Sequence, residues 1–531
     1  MVMERSMRWG LRGVGWALAG VMALGVVTQV ACWRAPAPEL PPEPEAEAPA
    51  EKRPHVVILL WDTTRADRLS LYGHEVPTTP RLEALAESSR VFDRALSPGM
   101  WTVPSHASMF TGLPAPSHGA RVGWLWLDHR HLTLAEHFGA HGYRTFAWSA
   151  NPYLAPATNL LQGFDEVRLT WSGDDAQACA AATHAKLIER DRSVAMAPAW
   201  PGDGEGWPGH LTVAKDCAPG GVDALLEHID GADAPVFAYL NLLEAHHPRI
   251  PSLASRQAVS SPELLERGLL TDGSLRRLMG AMEGMQSFAP DEIEALEGVY
   301  DASLRDLDDA TGRLIDGLSA RGLLDDTVLV VVGDHGEHFG EGGMFDHRWS
   351  VHEALLHVPL LVRYPRGLPS GRVSEPVSTR GLFGTLPALA GLPEPEVAHP
   401  VPNLSPSGSV FSALVAPTPR LPAVLQTWPG LSPDRWKRRF QVVRDGHDKL
   451  VRDDQGQRWL YDLSADPEQL VDLAPTRVER ANALEGQLKA WQRSLPRYDR
   501  RQRGPNDRPG RPMEQDADTR AMLEALGYTG E

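Results

Sequence analysis

Three apolar runs constrain this chain more than anything else in it: Val56–Trp61, Val236–Leu243 and Thr327–Val332. Unbroken apolar runs of this length, rich in Val, Ile and Leu, are strands covered on both faces. Each run passes directly into polar residues of one chemical kind: Asp62, then His246 and His247, then Asp334 and His335. Helical patterning fills the intervals, at Arg81–Arg90, Leu132–His141 and the long amphipathic stretch Pro290–Gly322. Further strands are expected at Arg144–Ser149, with Asn151 just beyond it, and at Val358–Val362. Strands alternating with helices predict an α/β fold, a mostly parallel sheet sandwiched by helices. The carboxyl ends of such strands share one crevice, so Asp62, His246, Asp334 and His335 are expected to meet there.

Two Asp and one or more His make a site for a divalent cation, with hard oxygen and imidazole ligands. A single Asp after a strand is also a common turn or cap residue. Asp334-His335-Gly336 is less ordinary, because Glu337, His338, Asp346, His347 and His352 cluster behind it. A second feature is Trp101-Thr102-Val103-Pro104-Ser105-His106, running on to Thr111-Gly112. Thr102 suits an N-cap, Pro104 a first helical turn and Gly112 a helix stop. A hydroxyl at a helix N-terminus lies where backbone N–H groups favour negative charge, a place for an anionic ester or a nucleophilic Thr. An ordinary capped helix satisfies the same residues.

The net charge of -17 over 531 residues argues against a nucleic-acid partner. An anionic substrate then needs local help from a metal ion or from clustered His and Arg. The N-terminus reads as targeting: Arg5, Arg8 and Arg12 precede an apolar run from Val14 to Val27, and Ala31-Cys32 follows. Residues 1–32 resemble a lipoprotein signal with Cys32 as the lipidated residue, or an uncleaved membrane anchor. Both readings place the folded part in the cell envelope, on the periplasmic or extracellular side. Residues 33–54, rich in Pro, Ala and Glu, read as a tether. Cys179 and Cys217 lie within an irregular insertion, 170–232, where Ala176–Arg190 and Val222–Ile229 are helix candidates. They form either a disulfide of an oxidising compartment or two buried thiols.

Beyond a catalytic-type domain over 55–400 the texture changes. Phe440–Arg444, Lys449–Arg452 and Trp459–Leu463 are separated by Gly- and Asp-rich turns, which are hairpin signals. A smaller antiparallel subdomain is expected over 401–496, closed by a helix at about Pro475–Leu495. The tail 497–531 is polar, with one short helix near Met522–Leu526.

Together these motifs resemble the sulfatase branch of the alkaline-phosphatase superfamily. Trp61-Asp62-Thr63-Thr64-Arg65-Ala66-Asp67-Arg68-Leu69 with Tyr72-Gly73 resembles the family's first metal motif. Thr102-Val103-Pro104-Ser105-His106 lies where the family carries Cys/Ser-x-Pro-Ser-Arg. Asp334-His335-Gly336-Glu337 and His347 resemble its second metal motif and a substrate-binding base. Tyr461–Pro467 and Leu526-Gly527-Tyr528 are similar to motifs of its C-terminal part. The departures bear on chemistry. Thr102 replaces the residue that sulfatases convert to formylglycine, His106 replaces the Arg, and Thr63 replaces a second Asp. A Thr beside an Asp/Asp/His site resembles the phosphoryl-transfer members instead.

The resemblance implies a hydrolase or transferase of phosphoric or sulfuric esters, with a divalent ion (Ca, Mg, Mn or Zn) on Asp62, Asp334 and His335. It implies Thr102 as nucleophile, with His246 and His347 holding the anion or protonating the leaving alkoxide. His106 and Asn151 are candidates for contacts to the ester's non-bridging oxygens. A second metal on Glu244 and His246 is a further option. The same fold also admits a catalytically silent surface protein that binds an anionic glycan or lipid head group.

Overall fold

Strand β1, His55–Trp61, is buried along its whole length and lies at the centre of an eight-stranded sheet. The computed structural model describes residues 53–121, 124–193, 215–271, 273–347, 349–405, 409–414, 438–499 and 517–525. The signal segment and nearly all of the tether lie outside the described residues. The other strands of the sheet are β2 (Arg90–Phe92), β3 (Arg144–Ser149), β4 (Glu166–Leu169), β5 (Val236–Leu242), β6 (Thr327–Gly333), β7 (Leu360–Arg363) and β8 (Gly371–Val373). Their order is β8-β2-β7-β6-β1-β5-β3-β4. Every pairing is parallel except those of β7, which runs antiparallel to both β6 and β2.

The three long runs form the middle of this sheet, because only central strands have both faces covered. β1, β5 and β6 are buried at every position. Their register sets Trp61 opposite Leu242 on one side and Gly333 on the other. The residues that follow each strand therefore emerge at the same edge, and this is what positions the site.

Helices cover the sheet: α1 (Thr102–Thr111), α2 (Leu134–Ala140), α3 (Gly173–Ser193), α4 (Ala218–Gly231), α5 (Pro290–Ala320) and α6 (Leu382–Leu389). The helix expected over Arg81–Arg90 is shorter, Pro80–Ala86, and Arg90 already belongs to β2. The described residues of the 170–232 stretch are more regular than its Gly and Pro content implied. Within it, α3 and α4 are joined by a Cys179–Cys217 disulfide with Cα atoms 5.1 Å apart. A four-stranded antiparallel sheet, Ser409–Leu414, Phe440–Asp445, Asp448–Asp453 and Arg458–Asp462, follows with the helix α7 (Val478–Ser494). Arg444 and Lys449 of that sheet both reach Glu353 of the first part, at 2.5 and 2.8 Å. Among the described residues no helix is long and apolar enough to cross a membrane.

Candidate active site

Asp62, Asp334 and His335 leave the ends of β1 and β6 and meet at one buried point, their ligand atoms all within 4.8 Å of one another. His335 Nε2 is 3.2 Å from Asp334 Oδ2 and 3.8 Å from Asp62 Oδ1. The outer atoms of the three are all held. Asp62 Oδ2 accepts from Asn151 Nδ2 and from Asn241 Nδ2, both at 2.9 Å. Asp334 Oδ1 accepts from the Thr63 and His335 amides at 3.2 and 2.9 Å. His335 Nδ1 faces the Gly336 carbonyl at 3.0 Å, which leaves Nε2 turned inward. The inner atoms, Asp62 Oδ1, Asp334 Oδ2 and His335 Nε2, are buried and have no hydrogen-bond partner. Three orphaned buried ligand atoms aimed at one point fit a divalent cation, because they are otherwise a costly arrangement. Burial together with the Asp334 charge pushes the Asp62 carboxyl up. Burial opposes ionisation of Asp334 too, but His335 outweighs it and holds that carboxyl down.

Gly336 is required by close approach: a Cβ there would lie 2.0 Å from the Ala354 carbonyl oxygen. Thr63 does not supply a fourth ligand. It sits at φ 55, its hydroxyl donates to the Asp62 carbonyl at 2.7 Å, and only its amide serves the site.

Thr102 stands beside this point. Asn151 Nδ2 donates to Thr102 Oγ1 at 3.2 Å as well as to Asp62, so one amide ties the hydroxyl to the ligand set. The amide is oriented by its own oxygen, which accepts from the Tyr153 N–H at 2.9 Å. Asn151 was expected to contact substrate; its nitrogen is instead spent inside the site. Thr102 is not an N-cap either. Trp101 holds the extended cap conformation, and Thr102 is the first helical residue, with no side-chain cap bond. Its hydroxyl is thereby spared from the helix's own amides. Gly112 ends α1 at φ 69, as its sequence implied.

His106 lies one turn along α1 and fully buried. Its Nδ1 donates to the Thr102 carbonyl at 2.8 Å, and its Nε2 accepts from the Tyr239 hydroxyl at 2.6 Å. Burial lowers its pKa, in keeping with a neutral ring. Both nitrogens are engaged, so His106 positions the start of α1 and offers no nitrogen to a substrate.

His347 stacks on His335 with ring centroids 4.5 Å apart, and His246 meets His347 edge-on at 5.0 Å. His347 Nδ1 lies 2.9 Å from Asp346 and 3.4 Å from Glu337. Burial disfavours its charge, yet the two carboxylates outweigh it and push His347 up to about 10. Glu337, Asp346 and His347 form a second cluster with metal-compatible spacing. Arg249 already pairs with Glu337 at 2.6 Å, and with an imidazolium between the acids this cluster is charge-balanced. His246 is opposite in character. Burial and the His347 charge lower its pKa well below the usual value. Its Nδ1 bonds the His247 carbonyl at 2.5 Å, which makes Nε2 the basic nitrogen. Glu244 is in neither of the converging ligand clusters; its Oε1 accepts from the Ala218 amide at 2.7 Å.

Asn241, Tyr239 and Arg249 escaped the sequence reading. Only Asn241 carried a signal, as the one amide inside an otherwise apolar strand.

Comparison with known proteins gives the family. The family model described as Sulfatase matches residues 54–392. An ulvan-active sulfatase from Formosa agariphila is 25% identical over 350 residues, covering 64% of this chain and 61% of that protein. Human arylsulfatase A is 27% identical over 377 residues, covering 66% and 67%. The bovine arylsulfatase K match covers only 38% of each chain, at 28% identity. Among solved structures, a phosphonate monoester hydrolase of Agrobacterium radiobacter superposes with a TM-score of 0.62 at 21% identity, covering 83% of this chain and 95% of that one. The family match spans more than half of the chain, and the chain belongs to the sulfatase family.

Proposed function

We propose that the protein is a metal-dependent hydrolase or transferase of phosphoric or sulfuric esters in which Thr102 is the nucleophile. The observation that carries this reading is the shared Asn151 amide, which holds Thr102 Oγ1 and Asp62 around the three orphaned ligand atoms. Asp62, Asp334 and His335 are the residues that would hold the divalent ion. Such an ion supplies charge that lowers the pKa of a nearby hydroxyl and offsets the negative charge of an ester group.

This chain's own residues account for the rest. Thr102 Oγ1, its proton released to solvent, attacks phosphorus in line, the bond to the leaving alkoxide breaks, and a phosphoryl-Thr102 ester forms. His347, charged between Asp346 and Glu337, holds the anion and can give a proton to the departing alkoxide. His246, kept neutral by its lowered pKa with Nε2 unprotonated, suits the second half, taking a proton from the water or acceptor alcohol that releases Thr102. His106 and Tyr239 keep the first turn of α1 in place throughout.

Phosphorus esters fit Thr102 better than sulfate esters. The formylglycine hydrate of sulfatases carries a second hydroxyl, and its intermediate collapses by eliminating sulfate. Thr has one hydroxyl, so a sulfo-Thr would have to be attacked at sulfur. The relatives named above are sulfatases and the solved structure is a phosphonate ester hydrolase, so both ester classes belong in the test. That test is a panel of aryl sulfate, phosphate monoester, phosphodiester and phosphonate ester, assayed after chelation and again with Ca, Mg, Mn or Zn restored. Turnover of phosphorus esters at least as fast as the sulfate, lost on chelation, supports the reading. Efficient sulfate turnover alone refutes it.

We also propose that residues 1–32 deliver the protein to the cell envelope and that Cys32 anchors it by a lipid. A Cys32→Ser variant should then leave the membrane fraction, and an unchanged distribution points to an uncleaved anchor.

A further inference from the structure

β5 ends at Leu242, and the turn that follows carries His246. That turn is fixed from outside the sheet. The Leu243 carbonyl accepts from the His246 amide at 3.1 Å and from Lys215 Nζ at 2.9 Å, so one oxygen joins the backbone of His246 to a lysine 28 residues before Leu243. A second tie runs beside the first: Glu244 Oε1 accepts from the Ala218 amide at 2.7 Å, at the start of α4. Cys217 lies between the two contacts and is bridged to Cys179 of α3. The segment 215–218 is therefore held covalently to one helix and by hydrogen bonds to the turn.

Lys215 is a costly residue to place here. Its side chain is 0% exposed, and Asp216, whose Oδ1 lies 2.9 Å from Nζ, is 1% exposed. Such a pair adds little net stability, because desolvating both charges offsets most of their attraction. Lys186 of α3 pairs instead with Asp306 of α5, at 2.7 Å. What the Lys215 ammonium does provide is a charge-assisted bond, stronger than a neutral one, to the oxygen that sets the His246 turn. Its charge also adds to burial and to the His347 charge in keeping His246 neutral. No step assigned above uses Lys215.

We propose that Lys215 is a positioning residue for His246: it fixes the Leu243 carbonyl on which the His246 turn is built, and the Cys179–Cys217 bridge keeps it there. This rests on the proton transfer assigned to His246 above. Lys215 bonds Asp216 and Leu243, outside the ligand set and Thr102. Its loss should therefore spare the attack by Thr102 and slow the later step that needs His246.

The test is a kinetic cycle of Lys215→Met, His246→Ala and the double variant in the full chain, on one phosphorus ester with saturating metal. His246→Ala should lower kcat roughly 100-fold or more, and Lys215→Met roughly 10- to 100-fold. The double variant should fall no more than about threefold below His246→Ala, since an absent base cannot be misplaced. In single turnovers of Lys215→Met the leaving alcohol should appear at the wild-type rate, while the phosphoryl-enzyme persists longer. Lys186→Met removes a lysine whose ion pair is with Asp306 and should keep kcat within about threefold. Lys215→Met/Asp216→Asn removes both charges of the pair, so no buried acid is left unpaired, and should reproduce the Lys215→Met kinetics. Thermal melts check that each variant is folded. Losses that multiply in the double variant, or an attack slowed as much as release, overturn the inference and leave the role of His246 standing. So does an equal fall of kcat in Lys186→Met. A His246→Ala variant with wild-type kcat instead overturns the role of His246, and this inference with it.

Discussion

Replacing Asn151 by Ala should cost catalysis as well as stability, and the geometry says how much. The Asn151 amide makes one hydrogen bond to the Asp62 carboxylate and one to the Thr102 hydroxyl. The first is worth about 1.5–3 kcal/mol and the second about 1 kcal/mol while Thr102 is neutral. As Thr102 Oγ1 takes on charge in the transition state, its bond becomes charge-assisted and about twice as strong. The loss specific to the transition state, together with a displaced Asp62, comes to about 2–4 kcal/mol, a fall in kcat of roughly 30- to 800-fold. KM should change little, because Asn151 touches enzyme groups. Asn241→Ala is the internal control. It removes an equal 2.9 Å bond to the same Asp62 oxygen but none to Thr102, and should lower kcat by roughly 5- to 30-fold. The assay is steady-state kinetics of both variants on one phosphorus ester with saturating metal. Equal losses, or a larger loss for Asn241→Ala, would refute the claim that Asn151 serves the nucleophile.

Glu353 is held down to about 2, since the Arg444 and Lys449 charges outweigh the burial that raises it. A depressed carboxyl contributes its stability above its ordinary 4.5, so Glu353→Gln should cost about 3 kcal/mol at neutral pH, with the deficit closing as pH falls toward 2 in denaturant melts. Opening the Cys179–Cys217 disulfide, which closes a separation of 38 residues, should cost about 4 kcal/mol in Cys179→Ser/Cys217→Ser. A drop under about 1 kcal/mol would refute the loop-entropy account of this bridge. His347→Ala should raise KM and lower kcat together, whereas His246→Ala should lower kcat with KM nearly unchanged, because the proposed mechanism has the charged His347 hold the anion and the neutral His246 move a proton.

The central strands were legible because burial on both faces leaves no alternation to blur the signal, and β1, β5 and β6 follow the apolar runs almost residue for residue. Asp62, Asp334 and His335 were legible for the same reason: a parallel sheet brings strand ends together whatever their separation in sequence. Elements set by distant partners were not. The helix ending at Ala86 is cut short because Arg90–Phe92 pairs with strands 270 and more residues away. Thr102 resembled an N-cap, yet the backbone of Trp101 decides the cap, and no composition rule reports one residue's ψ. The carboxylates that charge His347 come from two sides of a tight loop, with Asp346 at φ 66 turned onto the ring. His106 kept its place in the motif while its nitrogens were committed to Thr102 and Tyr239, a pairing fixed only by packing.

The most direct test of the account is to quench a single-turnover reaction with a phosphodiester and locate the phosphoryl group by mass spectrometry. The account predicts a covalent phosphoryl ester on Thr102 in the wild type and, at lower yield, on the replacement in Thr102→Ser. It predicts none in Thr102→Ala, which should still bind the metal through Asp62, Asp334 and His335 while losing most activity. Undiminished turnover in Thr102→Ala, or a phosphoryl group on any other residue, would contradict the account, because the nucleophile would then lie elsewhere.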